Sequence, residues 1–372
     1  MGWPGGVQVS LKEKTYPVFI GKDLLQQSGP LLKKAGFLPR HLLVVSQKEV
    51  AAHYENPLRD SLSREGFENS LFLTPSAKSS EASKTQAVWA KLIKALSSLD
   101  GKNRSLGLVA LGGGVIGDLT GFAASVYRRG IPYVQVPTTL TAQVDSAIGG
   151  KTGVDLPEGK NLLGAIYQPR AVISDVRVLG TLPQRHWSDG FAEVIKYGVI
   201  KDAGFFSWLE KKNMDEIRVD ARALEKVVTR CARIKARVVS LDEFDKTGTR
   251  MILNFGHTAG HAVEAAAAYS GRYTHGEAVA VGMLIACDIS EKLGILKDRS
   301  LTGRLESILL KFGLPVYIKG LDQAAILKAM GYDKKSEGQK NRFVLPEKLG
   351  KVLIQPDVPV SVIEEALSKR KL

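Results

Sequence analysis

The chain has 372 residues, of which 44% are hydrophobic and 24% are charged, and its formal net charge is +14. This length predicts two domains of a globular protein, and no apolar run approaches the roughly 20 residues that a membrane-spanning helix needs. The positive charge does not indicate a nucleic-acid binder, because the sequence has no block of about five or six like charges and no aromatic residues interleaved with its densest basic segment.

The first half of the chain alternates strand-like and helix-like segments. Short apolar runs predict strands at 42–46, 70–73, 106–111, 133–136 and 172–175. Helical periodicity predicts helices at 81–99 and 115–126. Alternation of this kind indicates a mostly parallel sheet with covering helices. We therefore predict an α/β domain over residues 1–180.

Beyond about residue 181 the pattern changes to helices. The predicted helices are 188–201, 214–241, 257–268, 276–293, 298–312, 322–331 and 359–370. One pair of short strands, 342–345 and 351–354, flanks a PEKLG turn. We therefore predict a second, helical domain over residues 181–372.

Cysteine usage and the first residues bear on the compartment. Cys231 and Cys287 form no CxxC pair and no disulfide framework, which is typical of a reducing environment. Residues 1–21 lack the pattern of a signal peptide. We therefore expect a cytoplasmic protein without a membrane partner.

A glycine-rich loop follows the strand predicted at 106–111. Gly112, Gly114 and Gly117 fit G-x-G-x-x-G between a strand and a helix, where backbone without Cβ atoms approaches a pyrophosphate at the positive helix N-terminus. The acidic residue that usually follows about 20 positions later is absent, since residues 130–137 read GIPYVQVP. The loop favours an atypical Rossmann-like dinucleotide site, and a tight turn without a ligand is the alternative.

Histidines and one glutamate form a second group of interest. His257 and His261 lie four residues apart in a predicted helix and so share a face. Residue 258 is Thr, which excludes the HExxH site of a metalloprotease. Glu193 lies on an earlier helix and His275 begins a later one, and a Glu/His/His set suits a catalytic zinc. Spacing alone pairs His257 with His261 and leaves His275 open.

Longer motifs connect these features. The segments LGGGVIGDLTGFAASVYRRG, VPTTLTAQVDSAIGGKTGVD, LPQRHWSDGFAEVIKYG, RMILNFGHTAGHAVE and YTHGEAVAVGM closely resemble 3-dehydroquinate synthases and follow that family's order. The resemblance covers nearly the whole chain. It implies an N-terminal NAD-binding α/β domain, a helical C-terminal domain and a homodimer. It also implies that 3-deoxy-D-arabino-heptulosonate 7-phosphate is converted to 3-dehydroquinate and phosphate through transient oxidation, phosphate elimination, re-reduction and aldol closure.

The same resemblance implies roles for individual residues. The implied zinc ligands, for which cobalt is a substitute metal, are Glu193, His257 and His275. The implied catalytic residues are His261, as a proton carrier, with Lys151 and Asp245. The implied NAD contacts are Glu81, Lys84, Gly114, Val115, Ile116, Gly117, Asp118, Thr138, Thr139, Lys160, Val178, Leu179 and Thr181. The implied contacts to the anionic substrate are Arg129 (from a neighbouring subunit), Asp145, Lys151, Asn161, Lys196, Lys235, Arg250, Asn254, His275 and Lys340.

Some positions depart from the family's usual pattern. Gln47 and Ser80 stand at NAD-site positions where aspartate and glycine are usual, and Asp245 stands where glutamate is usual. Lys334 and Lys335 are alternatives to Lys340 as the lysine that binds phosphate.

Two other functions share parts of this pattern. A sibling sugar-phosphate cyclase would have the glycine loop and much of the metal set, but Lys151, Lys235, Arg250 and His261 together favour the dehydroquinate activity. A metal-dependent polyol dehydrogenase of the same broad fold would leave these cations without an anionic substrate. We therefore expect a sugar acid phosphate as the partner molecule.

Overall fold

The apolar runs of the first half form one sheet. The computed structural model describes residues 6–12, 14–75, 81–100, 105–268, 270–331 and 341–372. Its strands are β1 (Gly6–Val9), β2 (Tyr16–Gly21), β3 (His41–Ser46), β4 (Glu68–Leu73), β5 (Leu106–Gly112), β6 (Tyr133–Pro137), β7 (Lys151–Leu156), β8 (Gly159–Ile166), β9 (Val172–Asp175), β10 (Arg342–Lys348) and β11 (Lys351–Pro356). The main sheet has the order β1-β2-β9-β6-β5-β3-β4 and is parallel except for the pair β1–β2. The predicted mostly parallel sheet is confirmed.

Helices form at the segments with helical periodicity, and several further helices were not predicted. They are α1 (Ser28–Lys34), α2 (Lys48–Arg64), α3 (Gln86–Leu99), α4 (Gly114–Val126), α5 (Gln184–Lys201), α6 (Ala203–Glu210), α7 (Met214–Val219), α8 (Ala221–Leu241), α9 (His257–Ala266), α10 (His275–Lys292), α11 (Leu301–Lys311), α12 (Gln323–Ala329) and α13 (Val360–Lys369). No helix in the described ranges is long and apolar enough to cross a membrane.

The chain divides into two compact units. The first comprises Met1–Leu182 with Ala221–Phe244, and the second comprises Pro183–Asp220 with Asp245–Leu372. The sequence placed 221–244 in the helical domain and predicted one helix over 214–241. In the structure that helix is interrupted at Asp220, whose backbone is extended (φ −103°, ψ 103°). The apolar face of α8 then packs against β1 and β2, which places α8 in the first unit.

The main sheet buries both of its faces. Along β3, Val44 belongs to one apolar cluster and Val45 to the other, because successive strand side chains point to opposite faces. Leu58 of α2 packs into the first cluster, and Leu92 of α3 packs into the second. Burial on both faces explains why these strands read as continuous apolar runs in the sequence.

In the second unit a buried ion pair ties α13 to α10. The guanidinium of Arg370 is 3% exposed and contacts Asp288 at 2.5 Å from Nε to Oδ2 and Glu306 at 2.8 Å from Nη1 to Oε2. Lys369 also donates to Asp288 (2.6 Å, Nζ to Oδ1). These contacts hold the last helix of the chain onto the helix that begins at His275.

We expect Arg370→Met to lower the free energy of unfolding by about 3–5 kcal/mol, because it leaves the buried carboxylate of Asp288 without its main partner. Urea denaturation followed by circular dichroism measures the change. The matched control is Lys292→Met, which removes an exposed pair with Glu365 and should change stability by no more than about 0.5 kcal/mol. Equal effects of the two variants would contradict the prediction.

Candidate active site

Several predicted contact residues follow the ends of three neighbouring parallel strands. The glycine loop follows β5, Thr138 and Thr139 follow β6, and the turn 176–181 follows β9. These strands are adjacent in the order β9-β6-β5, and the carboxyl ends of parallel strands meet at one edge of a sheet. The sheet therefore brings three separate segments of the predicted NAD site to one place.

Glycine is required in the loop for close packing. A Cβ atom on Gly113 would lie 2.9 Å from Cγ2 of Thr139, and one on Gly114 would lie 2.9 Å from Oγ of Ser146. Gly113 is the N-cap residue of α4 and supplies no side-chain cap. The first-turn N–H groups of α4 therefore have no capping side chain, which suits a bound phosphate.

Three of the predicted NAD contacts have side chains in the core. Ile116 and Leu179 are 0% exposed and Val178 is 2% exposed. Tyr54 donates a hydrogen bond to the carbonyl of Val178 and lies 2.7 Å from Oγ1 of Thr181. At Ile116, Val178 and Leu179, only backbone atoms are in a position to touch a ligand.

One lysine joins residues predicted for NAD and for substrate. Nζ of Lys84 is 2.6 Å from Oδ2 of Asp118 and 2.5 Å from Oδ1 of Asn161. Burial lowers the pKa of Lys84, but the nearby carboxylates, Asp118 foremost, together outweigh burial and raise this pKa above its ordinary value. Asn161 has left-handed backbone (φ 57°), and Lys160 lies 3.5 Å from Glu81. The charged Lys84 therefore contacts both a residue predicted to bind NAD, Asp118, and a residue predicted to bind the substrate, Asn161.

A second buried lysine meets an acid on a π-helical turn. Nζ of Lys235, on α8, donates to Oδ1 of Asp145 (2.6 Å) and to the backbone carbonyl of the same residue (2.8 Å). Asp145 lies in the turn Ala142–Ser146, and π-helical turns are frequent at functional sites. Lys151 begins β7 and is exposed. Arg129 is also exposed and has left-handed backbone (φ 61°).

In the second unit, α9 and α10 approach closely at glycines. A Cβ atom on Gly282 would lie 2.0 Å from the carbonyl oxygen of Gly256, which precedes His257 and has left-handed backbone (φ 82°). This approach explains how His257, at the start of α9, comes near His275, at the start of α10. Their ring centroids are 5.1 Å apart.

Glu193, which is buried, completes a triad with these two partly exposed histidines. Its Oε1 atom is 3.5 Å from Nε2 of His257 and 3.3 Å from Nε2 of His275. Glu193 is 0% exposed, and neither of its carboxylate oxygens has a partner in hydrogen-bond geometry among the described residues. One ligand atom from each residue lies within 4.8 Å of the others, so the triad is suited to hold a metal ion.

The outward-facing nitrogens of both histidines are anchored. Nδ1 of His257 is 3.2 Å from the carbonyl oxygen of Phe255, and Nδ1 of His275 is 3.2 Å from Oε2 of Glu264. Because a carbonyl and a carboxylate accept hydrogen bonds, each Nδ1 carries a hydrogen, and Nε2 of each ring is the nitrogen that faces Glu193. The sequence reasoning did not select Glu264, although its spacing from His257 and His261 places it on the same helical face.

The electrostatics of the triad are strongly asymmetric. Burial and the charge of Lys196 lower the pKa of His257 to about 3. Burial also lowers the pKa of His275, but the carboxylates of Glu193 and Glu264 outweigh it and raise that pKa to about 10. The ammonium of Lys196, 1% exposed, contacts Oε2 of Glu193 directly. Burial raises the pKa of Glu193, but Lys196 and the two histidines together outweigh burial and hold this pKa well below its usual value.

The remaining predicted residues occupy different settings. His261 is exposed, with its ring centroid 5.2 Å from that of His257 and 5.8 Å from that of His275. Arg250 is buried (4% exposed), whereas Asn254 is exposed. Asp245 has left-handed backbone (φ 56°). Lys340, with its alternatives Lys334 and Lys335, and the departure at Ser80 lie outside the described residues.

Sequence comparison identifies the family. The profile described as 3-dehydroquinate synthase N-terminal matches residues 75–189, and the profile described as 3-dehydroquinate synthase C-terminal matches residues 190–336. The chain belongs to the 3-dehydroquinate synthase family. A 3-dehydroquinate synthase of Desulforamulus reducens is 43% identical over 366 residues, which cover 98% of this chain and 100% of the relative.

Solved structures of other cyclases share the fold. A 2-deoxy-scyllo-inosose synthase, solved with carbaglucose-6-phosphate, NAD+ and Co2+, has a TM-score of 0.84 and 26% identity, with coverage of 98% of this chain and 100% of that one. The 2-epi-5-epi-valiolone synthase of Streptomyces hygroscopicus subsp. jinggangensis 5008, solved with NAD+ and Zn2+, has a TM-score of 0.84 and 29% identity, with coverage of 97% and 98%. The dehydroquinate synthase relative is thus more similar in sequence than either of these cyclases.

Each family profile covers a different group of the predicted site residues. The N-terminal profile includes the glycine loop and Lys84, and the C-terminal profile includes the whole triad. The sequence predicted an α/β domain followed by helices in a dehydroquinate synthase-like arrangement. This fold class is confirmed.

Proposed function

We propose that the chain catalyses the reaction of its family, the conversion of 3-deoxy-D-arabino-heptulosonate 7-phosphate to 3-dehydroquinate and phosphate. The observation that carries this proposal is the triad of the buried Glu193 with His257 and His275 in a chain of this family. The chemistry is a transient oxidation, phosphate elimination, re-reduction and aldol closure within one substrate molecule. It is a lyase reaction of the shikimate pathway, which leads to the aromatic amino acids.

The triad fits zinc, with cobalt as a substitute. Two imidazole nitrogens and one carboxylate oxygen are the donors that zinc accepts in catalytic sites, and Oε1 of Glu193, which faces both imidazoles, is buried without a partner in hydrogen-bond geometry among the described residues. Glu193, His257 and His275 would hold the ion. Zinc bound there supplies a Lewis acid, which lowers the cost of removing a proton from a substrate hydroxyl.

The glycine loop fits the diphosphate of NAD. The uncapped start of α4 and the close packing at Gly113 and Gly114 support this assignment, with Thr138, Thr139 and the backbone of 178–181 at the same sheet edge. NAD bound there supplies a hydride acceptor that is regenerated within each turnover. We propose the first unit as the NAD-binding domain and the second as the metal-binding domain.

The chain's own residues bind the substrate and move protons. Lys151, Lys235 and Arg250 supply positive charge for a carboxylate and a phosphate, and Lys235 is already oriented by Asp145. His261 has an exposed ring beside the triad, which suits transfer of a proton between substrate and solvent. Asp245 is proposed as a second proton acceptor.

One assay tests this function against its alternatives. With zinc and substoichiometric NAD, the purified chain should release phosphate from the seven-carbon keto-acid phosphate without net formation of NADH. A sibling cyclase would instead prefer a sugar phosphate that lacks the carboxylate. A polyol dehydrogenase would form stoichiometric NADH from simple polyols without releasing phosphate, and either result would overturn the proposal.

We also propose a cytoplasmic homodimer in which Arg129 serves the partner's site. The exposed Arg129, with its left-handed backbone, supports the role in the partner's site, and the two buried cysteines, which are not joined in a disulfide, support a reducing compartment. A mass measured by light scattering that corresponds to one chain would overturn the dimer.

Lys84 is expected to affect the binding of both NAD and substrate. A hydrogen bond to a charged group contributes about 1.5–3 kcal/mol, so Lys84→Met should raise the KM values for NAD and for the sugar acid phosphate by roughly 10-fold or more. The reason is that the ammonium holds Asp118 and Asn161 at once. Steady-state kinetics with each substrate varied in turn measures both values.

The control for this prediction is a double-mutant cycle. Asn161→Gly removes the amide and tolerates the left-handed backbone. In that background, Lys84→Met should raise only the KM for NAD, because its effect on substrate acts through Asn161. Additive effects on the substrate KM would contradict this route. Lys91→Met, at an exposed lysine of α3, should change neither value.

A further inference from the structure

The imidazole of His275 is held between two carboxylates. Nε2 lies 3.3 Å from Oε1 of Glu193, and Nδ1 lies 3.2 Å from Oε2 of Glu264. Glu264 lies on α9, seven residues after His257, and is 8% exposed. The helix that supplies one proposed metal ligand therefore also supplies the partner of another.

The backbone at His275 is fixed separately by α5. The N–H of Gly276 donates to Oδ1 of Asp189 (2.6 Å), and a Cβ atom on Gly276 would lie 2.2 Å from the carbonyl oxygen of Asp189. Arg185 makes two contacts with Glu277, at 3.0 Å from Nε to Oε1 and at 2.8 Å from Nη2 to Oε2. Thr274 and Glu277 form a capping box at the same turn.

The residues of α5 that make these contacts lie on one helical face. Arg185, Asp189 and Glu193 are spaced by four residues on α5, so the face that carries Glu193 also docks the first turn of α10. With the backbone fixed, the remaining freedom of His275 is rotation of its side chain. Glu264 is the described group that meets Nδ1 and so selects one orientation of the ring.

We propose that Glu264 is a positioning residue of the metal centre, which orients His275 so that Nε2 faces the metal. This inference rests on the proposed function, because it assumes that the triad binds zinc. An ionised carboxylate only accepts hydrogen bonds, so Glu264 keeps a hydrogen on Nδ1 and, in the metal-bound site, would leave Nε2 as the nitrogen that binds the metal. Partners of this kind, behind a metal-binding histidine, typically contribute about 10–100-fold to metal affinity.

A second metal site that shares residues with the triad and Glu264 would make a different prediction. His261, Glu264 and His275 also have ligand atoms within 4.8 Å of one another and could hold a second ion through Nδ1 of His275. The 3.2 Å contact of Nδ1 with Glu264 instead assigns that nitrogen to a hydrogen bond. Positioning predicts one metal ion per chain, whereas a second site predicts two.

The experiment measures zinc affinity without NAD or substrate, by competition with a chelator. Glu264→Leu should weaken zinc binding by about 10–100-fold, and Glu264→Gln, which keeps an acceptor, should recover most of the loss. Cobalt absorption spectra should change in Glu264→Leu and resemble the wild type in Glu264→Gln. Glu291→Gln, on α10 four turns beyond His275, is the matched control and should leave both readouts unchanged.

The possible outcomes separate the two proposals. Unchanged zinc affinity in folded Glu264→Leu, or loss of a second bound ion, would overturn the positioning role even if the wild type releases phosphate. If Glu264→Leu does not fold, Glu264→Gln alone carries the test, and a loss of zinc affinity of 10-fold or more in Glu264→Gln would overturn the claim that a hydrogen-bond acceptor at this position suffices. Weakened zinc binding in Glu264→Leu, together with a wild-type chain that binds zinc but releases no phosphate, would instead reject the proposed reaction alone.

Discussion

His257→Ala is expected to abolish zinc binding and to lower kcat/KM by on the order of 10³-fold or more, since a catalytic metal supplies several kcal/mol of charge stabilisation. The ring of His257 lies against Glu193, and its pKa of about 3 keeps Nε2 unprotonated at neutral pH. His275 already faces the same carboxylate oxygen as the proposed second ligand, so it cannot also replace His257. Metal content by mass spectrometry and phosphate-release kinetics measure the two losses.

The matched control is His186→Ala, which removes an exposed imidazole from the start of α5. It should retain zinc and full activity. A His257→Ala variant that stays active and metal-loaded would show that the triad is not the metal site. The two variants differ only in which histidine is lost, so a general effect of histidine removal is excluded.

The strands that were predicted and those that were missed differ in a physical way. Strands β3, β5, β6 and β9 are buried on both faces and therefore appear as apolar runs. Strand β2 contains Pro17, which lacks the N–H of a ladder and makes a strand hard to recognise. Strand β8 is partly exposed along its length and carries no such run.

Helix boundaries show the limit of periodicity. The pattern over 214–241 is continuous in apolar spacing, yet Asp220 takes an extended backbone and separates α7 from α8. Helix α2 carries Pro57 in its interior, which a sequence rule reads as a break. Tertiary packing determines where these helices begin and end, and the spacing of apolar residues along the chain carries no information about that packing.

The candidate metal centre shows the same limit more sharply. Spacing along one helix relates His257 to His261, but it contains no information about His275 on another helix. The approach of α9 and α10 at Gly256 and Gly282 brings His257 and His275 together. The resemblance to the family supplied this grouping in advance, because the order of its motifs carries the tertiary relation that spacing lacks.

Glu264 was missed for a related reason. A glutamate on a helix is most often a solvated surface residue, and only its burial and its 3.2 Å contact with Nδ1 of His275 distinguish it. The sequence did carry a partial signal, since His257, His261 and Glu264 share one helical face.

His261→Ala is expected to leave zinc bound and to lower kcat by about 10²–10⁴-fold, the usual contribution of a positioned proton carrier. Its ring is exposed and stands beside the triad, 5.8 Å from the ring of His275, whereas Glu193 faces His257 and His275. Metal content and the pH dependence of kcat should therefore respond differently, with zinc retained and one limb of the pH profile lost.

The comparison with His257→Ala decides between a ligand and a proton carrier. If His261→Ala loses zinc as His257→Ala does, His261 is a ligand, as the spacing of four residues first suggested. If zinc and kcat are both unchanged, the proton passes through another group. Loss of turnover in a chain that keeps its zinc is the result that assigns His261 to proton transfer, because removing a ligand would affect the metal before it affected the chemistry.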